Sequence, residues 1–179
     1  MSQTDVSTTQ QPAFFAIGLF KLAVLLIGTM GLAQLYWLFA HWHHLRESLG
    51  LRVNLAARVI LCPFISVFSL AYRFGAAAQL HAVWGPTVAL AMASLWDIGL
   101  VVPRLIHVPL PINLLALFSP LIALQAIANR ANRLIAPNHD ANKHITRRNL
   151  LVMVPGALMW TLIILGELAS LVANGTAQR

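Results

Sequence analysis

The sequence predicts an all-α membrane protein: a bundle of four transmembrane helices plus one re-entrant or interfacial helical segment. Hydrophobic residues make up 59% of the 179 residues and charged residues only 9%, far from the ~25% charged residues of an average soluble domain. The apolar residues fall in runs of about 20, the length that crosses a ~30 Å hydrocarbon layer. Because the basic residues flank those runs, the net charge of +7 indicates membrane orientation and anionic headgroups instead of nucleic acid.

The chain is predicted to open with a disordered tail over residues 1–12, which are rich in Ser, Thr and Gln. A single transmembrane domain follows over 13–174. Its first span is predicted over about 22–40, entered at Lys21 and followed by Trp42 at the depth where aromatic belts lie.

The next apolar run, 55–72, is predicted not to cross the membrane. Arg58 lies in its first turns, Pro63 breaks its middle and Arg73 follows its end. This pattern favours two half-helices that enter and leave on the same side, or one helix lying in the interface. A full crossing would also turn the basic loop over 125–149 outward, against the preference of basic loops for the cytoplasm.

Three further spans are predicted over about 83–102, 112–127 and 150–172, with a short tail over 175–179. The loop over 125–149 fixes their orientation, because a short basic loop stays on the cytoplasmic side. Both termini are then expected outside. The loop holds five of the twelve basic residues: Arg130, Arg133, Lys143, Arg147 and Arg148.

Two patterns along the chain resemble landmarks of a known family. The first span contains K-L, T-x-G-L and Y-W, which begin at Lys21, Thr29 and Tyr36, and Q-x-x-x-N-x-x-N begins later at Gln125. They resemble a family of small, uncharacterised bacterial multi-pass inner-membrane proteins. The resemblance covers nearly the whole chain and implies a location in the bacterial inner membrane, without implying an activity.

Ionisable side chains inside the predicted spans are candidate functional residues, since a charge in hydrocarbon costs ~2.5 to 3.5 kcal/mol even on insertion scales. Asp97 and Glu167 lie near the outer ends of their predicted spans, and Lys21 and Arg104 fall on the same side. The favoured interpretation is a structural ion-pair network between spans. A proton or cation relay through the two acids is the functional alternative, and independent snorkelling to the interface is the third.

A polar stripe is predicted where the third span meets the cytoplasm. Gln125, Asn129 and Asn132 are spaced i, i+4, i+7, so they share one helix face. Amides join helices in low dielectric, and structural packing is the favoured interpretation. The alternative is a pocket for a lipid headgroup or an anionic metabolite. Its charged members would be Arg130, Arg133, Arg147 and Arg148.

Two histidines are weak candidates for haem or metal ligands. His41 and His44 are three residues apart on one helix face, but no cysteine or acid accompanies them at ligand spacing, so no cofactor is predicted. The resembling family more often carries Tyr, Asn or Lys in this region. Cys62 is the one cysteine of the chain and is predicted to be a small buried hydrophobe.

The sequence favours a non-catalytic structural or accessory component of a membrane assembly. Small residues such as Gly28 and Gly31 suit helix packing in lipid, and no phosphate loop, nucleophile elbow or zinc-protease helix is present. Expected partners are the bilayer with its anionic lipids, and a protein partner or a second copy. The alternatives are a small transporter or channel that uses Asp97 and Glu167, and a haem or metal protein that uses His41 and His44.

Overall fold

The protein is described here by a computed structural model covering residues 12–78, 84–106, 110–140 and 142–177. Every regular element within those ranges is a helix, which confirms the all-α prediction. Two segments, Ile112–Ile135 and Arg147–Gly166, are helices long and apolar enough to cross a membrane. The helices are α1 (Leu19–Gly28), α2 (Ala33–Leu49), a π-helix (Ala57–Leu61), α3 (Pro63–Ala77), α4 (Trp84–Leu105), α5 (Leu110–Ile135) and α6 (Arg147–Ala177).

Helix α5 lies at the centre of the fold and contacts α1, α3 and α4. It runs antiparallel to α4 after a short connection, and a Cβ on Gly99 would stand only 2.8 Å from the carbonyl oxygen of Ala116. Such close contact is typical of small residues between membrane helices. The helix extends eight residues beyond the predicted end at 127, so the polar stripe belongs to α5. We call the end of the molecule at the α5–α6 loop, residues 136–146, the basic end.

The predicted first span is broken, and the prediction of one continuous helix over 22–40 is wrong. After α1 the backbone reverses through Met30 (φ 50°) and Gly31 (φ 89°), and α2 begins at Ala33. The Thr29 hydroxyl donates to the Leu25 carbonyl at 2.7 Å and accepts the Ala33 N–H at 2.9 Å, which joins the two helices. A ten-residue helix is about 15 Å long, half of what a hydrocarbon layer requires.

Helices α1 and α2 therefore form a hairpin: α1 starts at the basic end and leads to the tip, and α2 leads from the tip back towards the basic end. The start of α1 touches the α5–α6 loop, where a Cβ on Gly18 would lie 3.1 Å from the Cα of Lys143. The tip lies further along α5, with Gly31 beside the ring of Phe118. On the way back, His41 of α2 reaches Gln125, seven residues closer to the basic end.

The predicted re-entrant or interfacial segment consists of two helical pieces separated at Cys62. The π-helix ends there, and α3 begins at Pro63, a position where proline's missing N–H is not needed. The Ser66 hydroxyl donates to the Arg58 carbonyl at 2.6 Å, so the two pieces contact each other. The division into two pieces agrees with the first part of the two-half-helix alternative, and their entry and exit on one side of a membrane stay a prediction. Cys62 is exposed, so its predicted burial is wrong, because it lies at the break and outside both packed faces.

Helix α6 packs against α1 through a close glycine contact. A Cβ on Gly156 would overlap the carbonyl oxygen of Gly28, and the Trp160 indole N–H donates to the Ile27 carbonyl at 2.8 Å. Most of the helix surface is apolar and exposed, which suits a lipid environment. Its exposed large side chains include Leu150, Leu151, Val152, Val154, Leu158, Met159, Leu162, Ile164, Leu165 and Leu168.

Candidate functional site

The polar stripe of α5 faces a segment of irregular backbone, residues 14–17, that precedes α1. Gln125 and Asn132 are fully buried and Asn129 is half-buried. The segment forms neither helix nor sheet, so its N–H and C=O groups need partners from elsewhere. The amide side chains of α5 supply them.

Asn132 pairs with Phe14 through two hydrogen bonds. The Phe14 N–H donates to Asn132 Oδ1 at 2.9 Å, and Asn132 Nδ2 donates back to the Phe14 carbonyl at 2.9 Å. An amide side chain presents one acceptor and one donor side by side. It therefore replaces the neighbouring strand that a sheet would provide.

Gln125 uses all of its hydrogen-bonding capacity. Its Oε1 accepts from Trp37 Nε1 at 2.6 Å and from His41 Nε2 at 2.9 Å. Its Nε2 donates to the Phe15 carbonyl at 3.2 Å and to Asn129 Oδ1 at 2.9 Å. Two donors and two acceptors are thus satisfied on one side chain, which connects α5, α2 and the irregular segment.

Asn129 completes the cluster by donating from Nδ2 to the Ile17 carbonyl at 2.9 Å. The stripe thus binds the carbonyls of three of the four residues in the segment. Structural packing, the favoured interpretation of the stripe, agrees with this geometry. The stripe packs against the backbone of residues 14–17 as well as against the neighbouring helix α2.

His41 lies inside this cluster and is neutral. Burial lowers the pKa of His41 to about 3, and the hydrogen bond to Gln125 offsets only part of that effect. Its ring packs against the rings of Phe15, Trp37 and Phe74 at centroid distances of 4.6 to 5.8 Å. The bond to Gln125 places the proton on Nε2, and Nδ1 is buried without a hydrogen-bond partner among the described residues.

The structure does not join His41 and His44 into one ligand pair. Nε2 of His41 bonds to Gln125, whereas Nε2 of His44 bonds to the Pro12 carbonyl at 2.6 Å. The described residues contain no group of three or more His, Cys, Asp or Glu side chains placed to hold a metal ion. The two histidines contribute to fixing the N-terminal segment.

Lys21 and Asp97, two members of the predicted charge network, are not paired with each other. Lys21 is at the basic end, where its Nζ donates to Asn142 Oδ1 at 2.8 Å. Asp97 follows Trp96, whose indole lies 3.4 Å from Gln34 near the hairpin tip. The break after α1 leaves Lys21 beside the α5–α6 loop and not beside Asp97, which explains the difference. The side chains of Arg104 and Glu167 lie outside the part of the chain that the structure describes.

Asp97 is half-buried, and its Oδ1 is shielded from solvent without a hydrogen-bond partner in the described ranges. A buried carboxylate oxygen of this kind is costly unless it is protonated or paired. Of the two predicted intramembrane charges whose side chains the structure describes, Lys21 has a hydrogen-bond partner, and the surroundings of Asp97 suggest a role beyond packing.

The predicted anion pocket around the stripe is not assembled. The amides point into the core, whereas the arginines near them in sequence are exposed. A ligand held by those arginines would not reach the bonded amides. The four exposed arginines are Arg130, Arg133, Arg147 and Arg148.

Sequence reasoning missed two contributors to the cluster: Trp37 and the backbone of residues 14–17. It also missed Asn142, which bonds to Lys21 outside the cluster. The Y-W pair that begins at Tyr36 is a landmark of the resemblance, but the resemblance implies no bonding partner for Trp37. The arrangement as a whole binds backbone and excludes water, and its side chains include no nucleophile paired with a base. No protein-family model, curated protein or solved structure matches the chain.

Proposed function

We propose that this protein is a non-catalytic structural component of an assembly in the bacterial cytoplasmic membrane. The saturated amide cluster carries the proposal: its polar side chains hold the protein's own backbone, with Gln125 making four hydrogen bonds. Side chains engaged in this way are not free to bind a substrate. The long apolar surface of α6 suits lateral contact with a partner or a second copy in the bilayer.

The proposed topology has three crossing helices, α4, α5 and α6. The α1–α2 hairpin and the 55–77 segment enter from the basic end and return to it. This differs from four spans with both termini outside, because residues 12–21 lie on the cytoplasmic side. Ten of the twelve basic residues then fall on that side, one more than with four spans, in agreement with the positive-inside rule. Membership of the resembling family stays a prediction.

A disulfide cross-link tests this topology. A Cβ on Gly18 would stand 3.5 Å from the Cβ of Lys143, within the ~3.5 to 4.5 Å of disulfide bonds. In a Cys62→Ser background, we expect Gly18→Cys with Lys143→Cys to form an intramolecular disulfide in membranes. Gly18→Cys with Ile106→Cys is the matched control and should stay reduced. If only the control pair cross-links, residues 18 and 143 lie on opposite sides, and four spans are restored.

The assembly itself is tested by native mass spectrometry of the protein released from lipid nanodiscs. We expect masses above the 19.6 kDa monomer, either multiples of it or a stable heteromeric complex. A monomer that remains monomeric at membrane-like density would contradict the structural role.

A small transporter is the second candidate, because Asp97 has a shielded oxygen for which the described residues provide no hydrogen-bond partner. Ion flux into proteoliposomes would be lost in Asp97→Asn and retained in the matched control Ser94→Ala on the same helix. No flux above protein-free vesicles, in either variant or the natural sequence, removes this candidate.

A further inference from the structure

We propose that the cavity between the end of α2 and the start of α3 binds the phosphate headgroup of an anionic phospholipid. Its volume is about 350 Å³, and its lining includes neither the amide cluster nor the arginines at the end of α5 and the start of α6. Its polar lining consists of two arginines, an asparagine, a serine and the one cysteine of the chain. These residues are Arg52, Asn54, Arg58, Cys62 and Ser66.

Arg58 is held in position on the wall of the cavity. Its guanidinium carbon lies 4.5 Å from the ring centroid of Trp42, and that indole is almost fully buried. Stacking on a fixed aromatic face limits the motion of the guanidinium, which leaves its N–H groups free to bind phosphate oxygens as a pair. The Ser66 hydroxyl bonds to the Arg58 carbonyl at 2.6 Å and fixes the backbone below.

Arg52 supplies a second positive charge on a different part of the chain. It lies in the short connection between α2 and the π-helix and is exposed. Two guanidinium groups line one cavity, and none of the described residues that line it is an acid. This combination favours an oxyanion with more than one free oxygen.

Apolar side chains beside the cavity favour a lipid over free phosphate. Ile60, Leu61, Phe64 and Ile65 are 44% to 77% exposed, although they are large and hydrophobic. Ile65 lines the cavity itself, and the four exposed side chains, here called the apolar patch, suit contact with lipid chains. A phospholipid whose phosphate lies between the arginines would lay its acyl chains on this patch. A soluble phosphate would leave the patch uncovered.

The site rests on the proposed membrane placement, since the cavity must lie at headgroup depth on the basic side. The Gly18–Lys143 cross-link tests that placement separately. If the cross-link forms and the experiment below fails, only the lipid site is lost.

Cys62 is a built-in reporter, because it lines the cavity and is exposed. We would measure its alkylation by a water-soluble maleimide in vesicles of phosphatidylcholine alone and in vesicles with added phosphatidylglycerol. A lipid present at about ten times its dissociation constant fills the site and slows labelling about ten-fold. Each arginine near an anionic surface is expected to strengthen binding about five-fold, so Arg52→Gln and Arg58→Gln should each require more phosphatidylglycerol for the same protection.

Three controls make the result specific. Arg147→Gln removes an exposed arginine elsewhere at the basic end and should leave protection unchanged. Ser48→Cys with Cys62→Ser reports the general effect of surface charge on labelling. Phosphatidylglycerol should slow the labelling of this cysteine far less than it slows the labelling of Cys62. Arg58→Lys keeps the positive charge but lacks the planar group that stacks on Trp42. It should therefore need as much phosphatidylglycerol for the protection of Cys62 as Arg58→Gln does.

The proposal is overturned if Cys62 is labelled at the same rate in both vesicles, or if Ser48→Cys is protected equally. It is also overturned if Arg147→Gln weakens protection as much as Arg52→Gln. Inorganic phosphate added to protein in neutral detergent distinguishes the source of the ligand: protection by phosphate alone would assign the cavity to a soluble anion.

Discussion

Replacing Asn132 with alanine should release the N-terminal segment from α5. The change removes both hydrogen bonds to Phe14, at 2.9 Å each, and leaves a buried N–H and a buried C=O without partners. Each such group costs about 1 to 3 kcal/mol. Hydrogen bonds in membrane proteins average only ~0.6 kcal/mol. Phe14 and Asn132, however, are buried by protein, at 4% and 0% exposed, so the larger cost per unpaired group applies here.

With two such groups, we expect local opening of the segment to become easier by about 2 to 6 kcal/mol. The amide proton of Phe14 would then exchange with solvent roughly 30-fold to 20,000-fold faster. Hydrogen exchange followed by mass spectrometry, on protein in nanodiscs, measures this in peptides that cover residues 12–18.

Two comparisons separate local release from general damage. Asn138→Ala removes an exposed asparagine of the α5–α6 loop and should leave exchange at Phe14 unchanged. The amide of Leu124, buried in the centre of α5, should stay protected in Asn132→Ala. Unchanged exchange at Phe14 would refute the role of the amide pair, and equally faster exchange at Leu124 would mean that the whole fold depends on Asn132.

Three further substitutions test other contacts, each by thermal unfolding in nanodiscs. Gly156→Ala would place a methyl group against the last carbonyl of α1 and should lower the free energy of unfolding by about 1 to 3 kcal/mol. Gly166→Ala is its control: no described atom lies within 4 Å of the new methyl group, so the change should be neutral or stabilising by up to ~1 kcal/mol. Gly31→Ala puts a side chain at φ 89° and should cost roughly 1 to 2 kcal/mol, with Gly166→Ala again as control. Gln125→Leu leaves the Trp37 indole N–H buried without its acceptor, so a loss of about 1 to 3 kcal/mol or more is expected; an unchanged midpoint would contradict that bond.

The polar stripe could be predicted from the sequence, but its binding partner could not. The spacing of Gln125, Asn129 and Asn132 places them on one helix face whatever surrounds the helix. Which groups meet that face depends on the path of residues 14–17, and a short irregular segment has no periodicity of its own. The stripe was therefore predicted to join helices, whereas most of its bonds are to backbone.

The break in the first predicted span could not be read from hydropathy. Residues 22–40 are apolar almost throughout, and an average over a window does not register a backbone reversal at two residues. Gly31 supplies the one local signal, because glycine adopts positive φ without strain, yet the same glycine suits helix packing equally well. The choice between these roles is made by the Thr29 hydroxyl, which bonds to both helices.

The predicted partner of Lys21 was wrong for the same reason. With one continuous span, Lys21 lies on the outer side together with Asp97, and opposite charges on one side are expected to pair. Once the span is a hairpin, Lys21 lies beside the α5–α6 loop and bonds to Asn142. The backbone reversal at Met30 and Gly31 thus decides which residues surround Lys21. It also decides the membrane side that we propose for residues 12–21.

The same geometry limits where a transport pathway could run. In a hydrocarbon layer, irregular backbone is tolerated only where protein or water satisfies its polar groups, and here Gln125, Asn129 and Asn132 do so. A pathway along the stripe would have to displace those bonds, and each displacement would expose carbonyls of residues 14–17 as well as the amide. Gln125 alone would lose four partners. Transport by this protein would therefore require a route past Asp97 that leaves the stripe intact, and Asp97→Asn is the variant that tests it.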